Sequence, residues 1–173
     1  RALADYQEAK RVVTVHDMIP ELFPDTRRRL DFLTVKKKYV LAADHIVCVS
    51  ESTKKDMLDI YGQVHAPITV VYSGVGNEFS AGAPPIPTWP EHYVLHVGHR
   101  GSYKGGSTLF RAFSQVRADY PSTTLVLAGG GPLSKAEQDL ARALGIAGNI
   151  FQQEVPDSVM PGAYANADLF VLP

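Results

Sequence analysis

Strand-like and helix-like segments alternate four times in the second half of this 173-residue chain. The strand-like runs are short and apolar, and the segments between them place apolar residues at helical spacing. Repeated alternation of this kind requires right-handed crossovers, which produce a parallel sheet covered by helices on both faces. The sequence therefore predicts an α/β fold. The predicted strands span residues 93–97, 124–128, 150–152 and 169–172, and the predicted helices span residues 107–118, 134–144 and 158–165. At the start of the second of these helices, Ser134 and Glu137 are predicted to form a capping box.

The first half shows the same two patterns less regularly. A helix is predicted after Ser50 or Ser52, either of which can cap it, and it ends near Ile60 before Gly62. Two prolines between residues 16 and 25 discourage regular structure there. The other predicted elements are strands over residues 12–15, 46–49 and 68–72 and a helix over residues 27–43.

A proline-rich segment, residues 80–92, separates the two halves. Its prolines disfavour both a helix and a central strand, so the segment is predicted to be a stiff connector. The sequence thus divides into residues 1–79, the connector, and residues 93–173.

The loops that follow the second-half strands are unusual in composition. In open parallel sheets, ligands bind outside the carboxyl ends of the strands. After the first of these strands, Gly98 and its neighbouring glycines let backbone N–H groups approach a ligand closely. Arg100 offers a planar fork of donors and Lys104 a mobile charge, and together they suit a diphosphate. The run Gly129–Gly131 repeats the glycine-rich exit after the next strand.

Plainer interpretations of these loops stay open. A glycine-rich turn with cations can simply face water, and close packing of a strand against a helix also selects glycine. A Walker A loop is absent because Lys104 precedes its glycine pair, and the dinucleotide fingerprint fails because Phe79 occupies the third glycine position. Neither a nucleotide hydrolase nor a nicotinamide enzyme is therefore favoured.

His16 and Asp17 follow the strand-like run of residues 12–15 and form a second polar candidate. From the residues alone, a structural histidine beside a turn-capping aspartate is slightly favoured over a functional one. His92, His96 and His99 invite a metal interpretation, but strand alternation sends His96 and His99 to opposite faces. No metal site is expected.

Composition and charge exclude several classes of partner. Hydrophobic residues make up 45% of the chain, charged residues 20%, and the net charge is −1, so nothing suggests nucleic acid. The single cysteine, Cys48, lies in an apolar run and is expected to be a buried hydrophobe. No apolar stretch approaches the length of a membrane span, and no leader is visible, so a cytoplasmic protein is expected.

A basic segment, Arg27–Lys38, carries six cations and one acid. Helical geometry spreads these charges around the polar side, so a solvated face is the default interpretation. An acidic partner, or peripheral contact with anionic lipid at the inner face of the membrane, is the alternative.

Six segments, in order and spacing, resemble the retaining nucleotide-sugar glycosyltransferases of family 4, which have the GT-B architecture. The resemblance spans nearly the whole chain and implies two Rossmann-like domains. Residues 1–79 would be the C-terminal portion of the acceptor-side domain, and residues 93–173 the donor-binding domain. The segments are VVTVHDMIPELFP, ADHIVCVSESTKKDM, ITVVYSGVGNEF, YVLHVGHRGSYKGGSTLFRAF, LVLAGGGP and YANADLFVLP.

The resemblance implies a role for each candidate residue. Arg100 and Lys104, with Gly98, would stabilise the diphosphate leaving group, and His16 would point at the transferred sugar. The remaining implied contacts are the loop Gly129, Gly130 and Gly131 against the donor, and the backbone at Glu154 and Val155 against the nucleobase. The donor would be a nucleoside diphosphate sugar such as a GDP- or UDP-hexose, and the acceptor a saccharide or lipid-linked saccharide in polysaccharide biosynthesis. No cofactor or metal is implied.

Two departures from the family pattern bear on activity. The glutamate-rich segment that follows FVLP in the family, and the first strands of its N-terminal domain, lie outside this sequence. The chain is therefore expected to be an internal fragment with little or no transferase activity by itself. An epimerase or phosphorylase of the same architecture, or a non-catalytic nucleotide-binding or interaction module, remains the alternative.

Overall fold

The computed structural model describes residues 9–23 and 30–173. The chain divides into two compact units, Arg1–Gly74 and Val75–Pro173. Each described unit has a parallel sheet with helices packed on it, so the predicted α/β class is confirmed. The predicted domain limits at residues 79 and 93 stay predictions.

The first unit has a three-stranded parallel sheet in the order β1-β2-β3. Val15 pairs with Cys48 across the first two strands, and Cys48 pairs with Val70 across the next two. Cys48 is fully buried, as expected from its apolar surroundings. The elements are β1 (Val12–Val15), α1 (Ile19–Leu22), α2 (Leu30–Leu41), β2 (His45–Cys48), α3 (Glu51–Tyr61) and β3 (Ile68–Val70).

The second unit has a four-stranded parallel sheet in the order β6-β5-β4-β7. Its elements are β4 (Tyr93–Val97), α4 (Gly106–Asp119), β5 (Thr124–Ala128), α5 (Lys135–Ala143), β6 (Ile150–Gln153), α6 (Met160–Ala165) and β7 (Leu169–Phe170). Single 3-10 turns lie at Ser102–Lys104, Ala147–Asn149 and Asp157–Val159. The predicted alternation of strand and helix is therefore confirmed, with ends that differ by one or two residues at most elements.

The two faces of the second sheet bury different side chains, because alternate strand residues point to opposite faces. On one face, Leu125 and Leu127 pack with Phe110 of α4 and Ala141 of α5. On the other face, Leu95, Val126 and Ala128 pack with Met160 and Ala163 of α6 and with Trp89. Both faces are thus covered, as expected for a parallel sheet.

One sequence-based expectation for the first unit is wrong, and another is confirmed within the described residues. The segment between the first strand and the long helix was expected to be irregular, but Pro20 lies in the first turn of α1, where its missing N–H costs nothing. The helix predicted over residues 27–43 is observed as α2, Leu30–Leu41, and residues 27–29 lie outside the described part.

The proline-rich segment belongs to the second unit and packs against its sheet. Trp89 is buried, and its ring lies edge-on to Tyr93 and Phe151, with centroids 5.6 and 6.1 Å away. Its indole N–H donates to Gln153 Oε1 over 2.8 Å. The carbonyl of Pro84 lies so close to Gly162 that a Cβ there would overlap it. This segment is therefore anchored to the second sheet at several points.

Candidate functional site

The carboxyl ends of β4 and β5 meet through their backbones. Gly98, directly after β4, has φ +95°, and its N–H donates to the carbonyl of Ala128 over 2.8 Å. After β5, Gly129, Gly130 and Gly131 have φ between +74° and +76°, a region that disfavours side chains. The glycines predicted to line a site thus form two loops that touch each other.

Gly130 shows why the second loop needs glycine. A Cβ at this position would overlap the carbonyl oxygen of Gly98 and would lie 3.0 Å from Nη1 of Arg100. Close packing between the two loops therefore selects glycine here, in addition to the positive φ. The sequence analysis allowed that close packing of a strand against a helix could select glycine. In the structure, the close packing at Gly130 is between two loops.

The guanidinium of Arg100 lies beneath this loop, with its side chain only 2% exposed. Nη1 donates to the carbonyl of Gly129 over 3.2 Å, and Nη2 donates to that of Gly131 over 2.9 Å. Nε donates to Glu137 Oε1 over 2.8 Å, which forms an ion pair. Arg100 therefore joins the β4 exit, the glycine loop and α5.

Glu137 serves two structures at once. Its Oε2 accepts hydrogen bonds from the backbone and side chain of Ser134, which confirms the predicted capping box at the start of α5. Its Oε1 holds Arg100. Burial opposes ionisation of Glu137, but the hydrogen bonds from Ser134 and the guanidinium of Arg100 outweigh it and lower the pKa of the carboxyl. Glu137 is therefore an anion that faces Arg100.

Lys104 is placed differently from Arg100. It ends the 3-10 turn Ser102–Lys104, and Gly105 follows with φ +66°, which allows α4 to start. Its Nζ lies 5.1 Å from the centre of the Tyr103 ring. Among the described residues, Lys104 forms no ion pair. Lys104 thus keeps its charge available beside the N-terminus of α4, where the helix dipole is positive.

The exits of β6 and β7 reach the same edge of the sheet. Glu154, after β6, accepts a hydrogen bond from the N–H of Gly131 over 2.6 Å. Val155 packs on the buried face beside Trp89. At the β7 exit, a Cβ at Gly105 would lie 3.1 Å from Pro173. The structure therefore brings Gly98, Arg100, the Gly129–Gly131 loop and Glu154 into contact, whereas Lys104 and Val155 lie on the adjoining exits without hydrogen bonding to the loop.

His16 lies at the carboxyl end of β1 in the first unit, and its side chain is exposed. Its carbonyl accepts a hydrogen bond from Thr53 Oγ1 over 3.3 Å. The next residue, Asp17, accepts the N–H of Ile19 through its carboxylate, which is the turn-capping role considered from the sequence. The carbonyl of Asp17 accepts Lys36 Nζ over 2.7 Å. Three hydrogen bonds, made by Thr53, by the Asp17 carboxylate and by Lys36, thus stabilise the turn that carries His16.

The expectation that the basic helix has a fully solvated polar face is wrong at Lys36. Its side chain is 17% exposed and pairs with Glu21 over 3.0 Å, and Glu21 is itself buried. Tyr61 donates to the other oxygen of Glu21. Burial first, and then the hydrogen bond and the charge of Glu21, raise the pKa of Tyr61 far above its usual range. Lys36 thus belongs to a buried polar network under the His16 turn.

Two polar groups at these sites were missed from the sequence. Glu137 was assigned only to the helix cap, although a capping carboxylate has a second oxygen that can pair with a cation. Lys36 was assigned to a charged helix face, whereas its partner Glu21 lies 15 positions earlier, in the IPEL segment. In both cases the partner is distant in sequence, so local pattern offers no signal.

Comparison with known families decides the class of the protein. Residues 87–173 match the family model for Glycosyl transferases group 1, and residues 1–79 match the model for Glycosyltransferase Family 4. The chain belongs to the group 1 glycosyl transferases. The glycine loops, Arg100 and Lys104 all lie in the part that matches the group 1 model.

Individual relatives agree with this family. A GDP-mannose-dependent alpha-(1-6)-phosphatidylinositol monomannoside mannosyltransferase from Mycolicibacterium smegmatis is 37% identical over 71 residues, which is 40% of this chain and 19% of the relative. A sucrose-phosphate synthase structure from Thermosynechococcus elongatus aligns with a TM-score of 0.75 and 19% identity, over 99% of this chain and 46% of that one. The pneumococcal O-GlcNAc transferase GtfA, in complex with UDP and GlcNAc, aligns with a TM-score of 0.69 and 11% identity, over 96% of this chain and 33% of that one.

These alignments confirm GT-B type Rossmann-like units in this glycosyl transferase. The chain spans less than half the length of each of these three relatives. Within the described residues, no helix is long and apolar enough to cross a membrane, and no cluster of three or more His, Cys, Asp or Glu side chains is placed to hold a metal ion.

Proposed function

We propose that this glycosyl transferase moves a sugar from a nucleoside diphosphate sugar to an acceptor hydroxyl, without a metal and with retention of the anomeric configuration. The observation that carries the proposal is the meeting of the Gly98 loop and the Gly129–Gly131 loop at the carboxyl edge of the second sheet. Lys104, which has no carboxylate partner in the described part of the chain, lies beside the start of α4. A helix N-terminus and a mobile cation together suit a diphosphate.

Lys104 is proposed to stabilise the leaving diphosphate. When the bond between the anomeric carbon and the phosphate oxygen breaks, negative charge grows on that oxygen. A cation already in place there stabilises the transition state more than the ground state, which is what accelerates the reaction. The acceptor oxygen then bonds to the anomeric carbon, and its proton leaves with the phosphate.

The donor and the acceptor are proposed by chemical class. The name of the mycobacterial relative contains GDP-mannose, and the pneumococcal structure contains UDP, so a GDP- or UDP-hexose is the proposed donor. The backbone at Glu154 and Val155 is proposed to contact the base. The acceptor is proposed to be a saccharide or a lipid-linked saccharide, and peripheral membrane contact through Arg27–Lys38 would suit the latter.

His16 is proposed to contact the transferred sugar. It is exposed at the carboxyl end of β1, and the contacts of Asp17 and Thr53 hold its turn. An exposed imidazole on a held turn can donate a hydrogen bond to a sugar hydroxyl without reorganising the fold. This assignment is supported by the family resemblance of the HDMIPELFP segment.

Calorimetric titration of the chain with GDP and with UDP tests the proposal. We expect measurable binding of at least one nucleotide, with the same affinity in the presence of a chelator. The Lys104→Met variant should bind about tenfold more weakly, because it loses a hydrogen bond to a charged group.

The matched control is Lys135→Met. Lys135 lies in the same unit, but its side chain is 76% exposed and pairs with Asp139 on the surface of α5. This variant should bind the nucleotide as the wild type does. Absence of binding in the wild type, or equal losses in the two variants, would contradict the proposed function.

A further inference from the structure

We propose that Arg100 and Glu137 are positioning residues that hold the Gly129–Gly131 loop, and that Lys104 alone of the two predicted cations meets the diphosphate directly. This proposal rests on the proposed function for its second half only. The first half concerns the chain without any ligand.

The hydrogen bonds of Arg100 carry the argument. Its guanidinium donates to the carbonyls of Gly129 and Gly131, with a longer contact of 3.4 Å to that of Pro132, while Nε donates to Glu137. A guanidinium has five N–H donors, so these four contacts use most of them. If Nη1 and Nη2 of Arg100 both donated to a diphosphate, Arg100 would have to break its hydrogen bonds to the loop carbonyls.

Charge and burial lead to the same assignment. The Arg100 side chain is 2% exposed and its ion-pair partner Glu137 is 21% exposed, so the two form a nearly neutral buried pair. Such a pair presents little net charge to a ligand, and separating it leaves an uncompensated buried charge. Lys104 has no such partner among the described residues, so no neighbouring carboxylate there offsets its charge.

The loop requires support of this kind. Three successive glycines with φ near +75° have many alternative conformations, and each ordered glycine costs more backbone entropy than other residues. Arg100 donates hydrogen bonds to the carbonyls of Gly129 and Gly131, and Glu154 accepts one from the N–H of Gly131. Glu137 fixes Arg100 and is itself fixed by the start of α5. Helix α5 therefore determines where the loop amides point.

Hydrogen exchange of the ligand-free chain tests the positioning role. We expect the amides of residues 129–131 to exchange about tenfold faster in Glu137→Gln, because a charge-assisted hydrogen bond that restrains Arg100 is weakened. Arg100→Lys should show the same change, since a lysine keeps the charge but lacks the fork. Amides of β4 and β5 should be unaffected, which shows that the variants fold.

Asp139→Asn is the matched control for Glu137→Gln. It removes one negative charge from the same helix, but Asp139 pairs only with the exposed Lys135 and Arg142 in the described structure. Its loop amides should exchange as in the wild type. Unchanged exchange in both Glu137→Gln and Arg100→Lys would overturn the positioning role.

The affinity of Glu137→Gln for GDP or UDP then distinguishes a positioning role of Arg100 from direct contact with the ligand, because the two roles predict changes in opposite directions. Removing the charge of Glu137 should strengthen binding of an anion if Arg100 is a direct ligand that Glu137 competes for. If Glu137 acts by holding Arg100 and the loop, affinity for GDP or UDP should fall about threefold or more in spite of the lost negative charge. A rise in affinity would overturn the proposal.

Failure of the proposed function and failure of the positioning role give different experimental results. A wild-type chain that binds neither GDP nor UDP contradicts the nucleotide assignment, whereas the exchange rates of residues 129–131 still decide whether Arg100 and Glu137 hold the loop.

Discussion

At the scale of single residues, neighbouring glycines in one loop serve different physical needs. Gly130 and Gly131 both have φ near +75°, but a Cβ at Gly130 would overlap the carbonyl of Gly98, whereas a Cβ at Gly131 meets nothing within 4 Å. The two positions therefore separate the cost of backbone conformation from the cost of steric overlap.

Alanine substitutions measure these two costs. Gly131→Ala should lower the free energy of unfolding by about 1 kcal/mol, the cost of a left-handed conformation. Gly130→Ala should lower it by about 3 kcal/mol, because the two loops must also move apart. Denaturant titration followed by the fluorescence of Trp89, the single tryptophan, measures both.

Gly148→Ala is the control, because it has neither a positive φ nor an atom within 4 Å of its Cβ position. It should leave the free energy of unfolding within about 0.5 kcal/mol of the wild type. Equal losses at Gly130 and Gly131 would contradict the close packing of the two loops.

Sequence reasoning reached the correct residues of these loops but not all of their partners. Glycines at strand exits are visible because positive φ and close approach select them locally. Arg100 and Lys104 look alike in the sequence as two cations four residues apart. Only the fold shows that one faces Glu137 and the glycine carbonyls, while the other has no carboxylate beside it among the described residues.

At the scale of elements, the start of α3 resolves an ambiguity of the sequence. Ser50 and Ser52 were both candidate caps, and the structure shows Ser50 Oγ accepting the N–H of Thr53 over 3.0 Å. Ser52 lies inside the first turn and is exposed. The extended backbone of Ser50, with φ −158° and ψ 161°, is the conformation that a cap requires.

Replacing each serine by alanine should therefore have different effects. Ser50→Ala should destabilise α3 by about 1 kcal/mol, because one N–H at the helix start loses its acceptor. Ser52→Ala should be neutral or slightly stabilising, since alanine has the higher helix propensity. Hydrogen exchange of residues 51–61 measures both, and faster exchange in Ser52→Ala than in Ser50→Ala would contradict the assigned cap.

Most elements were predicted from periodicity and capping, and the differences arise where a strand ends together with its neighbour. The strand predicted over residues 68–72 is observed as Ile68–Val70, because pairing with β2 extends no further. The last strand is likewise only Leu169–Phe170. Strand ends depend on the length of the neighbouring strand, which a single segment does not encode.

At the scale of the whole molecule, the described chain has separate hydrophobic cores in its two units. Met57, Ile46 and Val15 belong to the core of the first unit, whereas Leu127 and Trp89 belong to the two faces of the second sheet. Units with their own cores can unfold as separate cooperative transitions.

Core truncations in each unit test this separation. Leu127→Ala should lower the free energy of unfolding seen by Trp89 fluorescence by about 3 kcal/mol, because it leaves a cavity beside the second sheet. Met57→Ala, which truncates a fully buried side chain of the first unit, should leave the Trp89 transition unchanged while lowering the stability of α3. Equal shifts of the Trp89 transition would show that the two units unfold together.

The sequence by itself determined the α/β class, the order of strands and helices, and the glycine-rich exits of neighbouring strands. Periodicity, capping and turn chemistry are local properties, and each acts within a few residues. Only the tertiary structure decided which partner each polar group takes. Arg100 meets Glu137 across 37 positions, Lys36 meets Glu21 across 15, and Trp89 meets Gln153 across 64. These contacts exist because crossovers between parallel strands bring distant segments together, and no single segment contains that information.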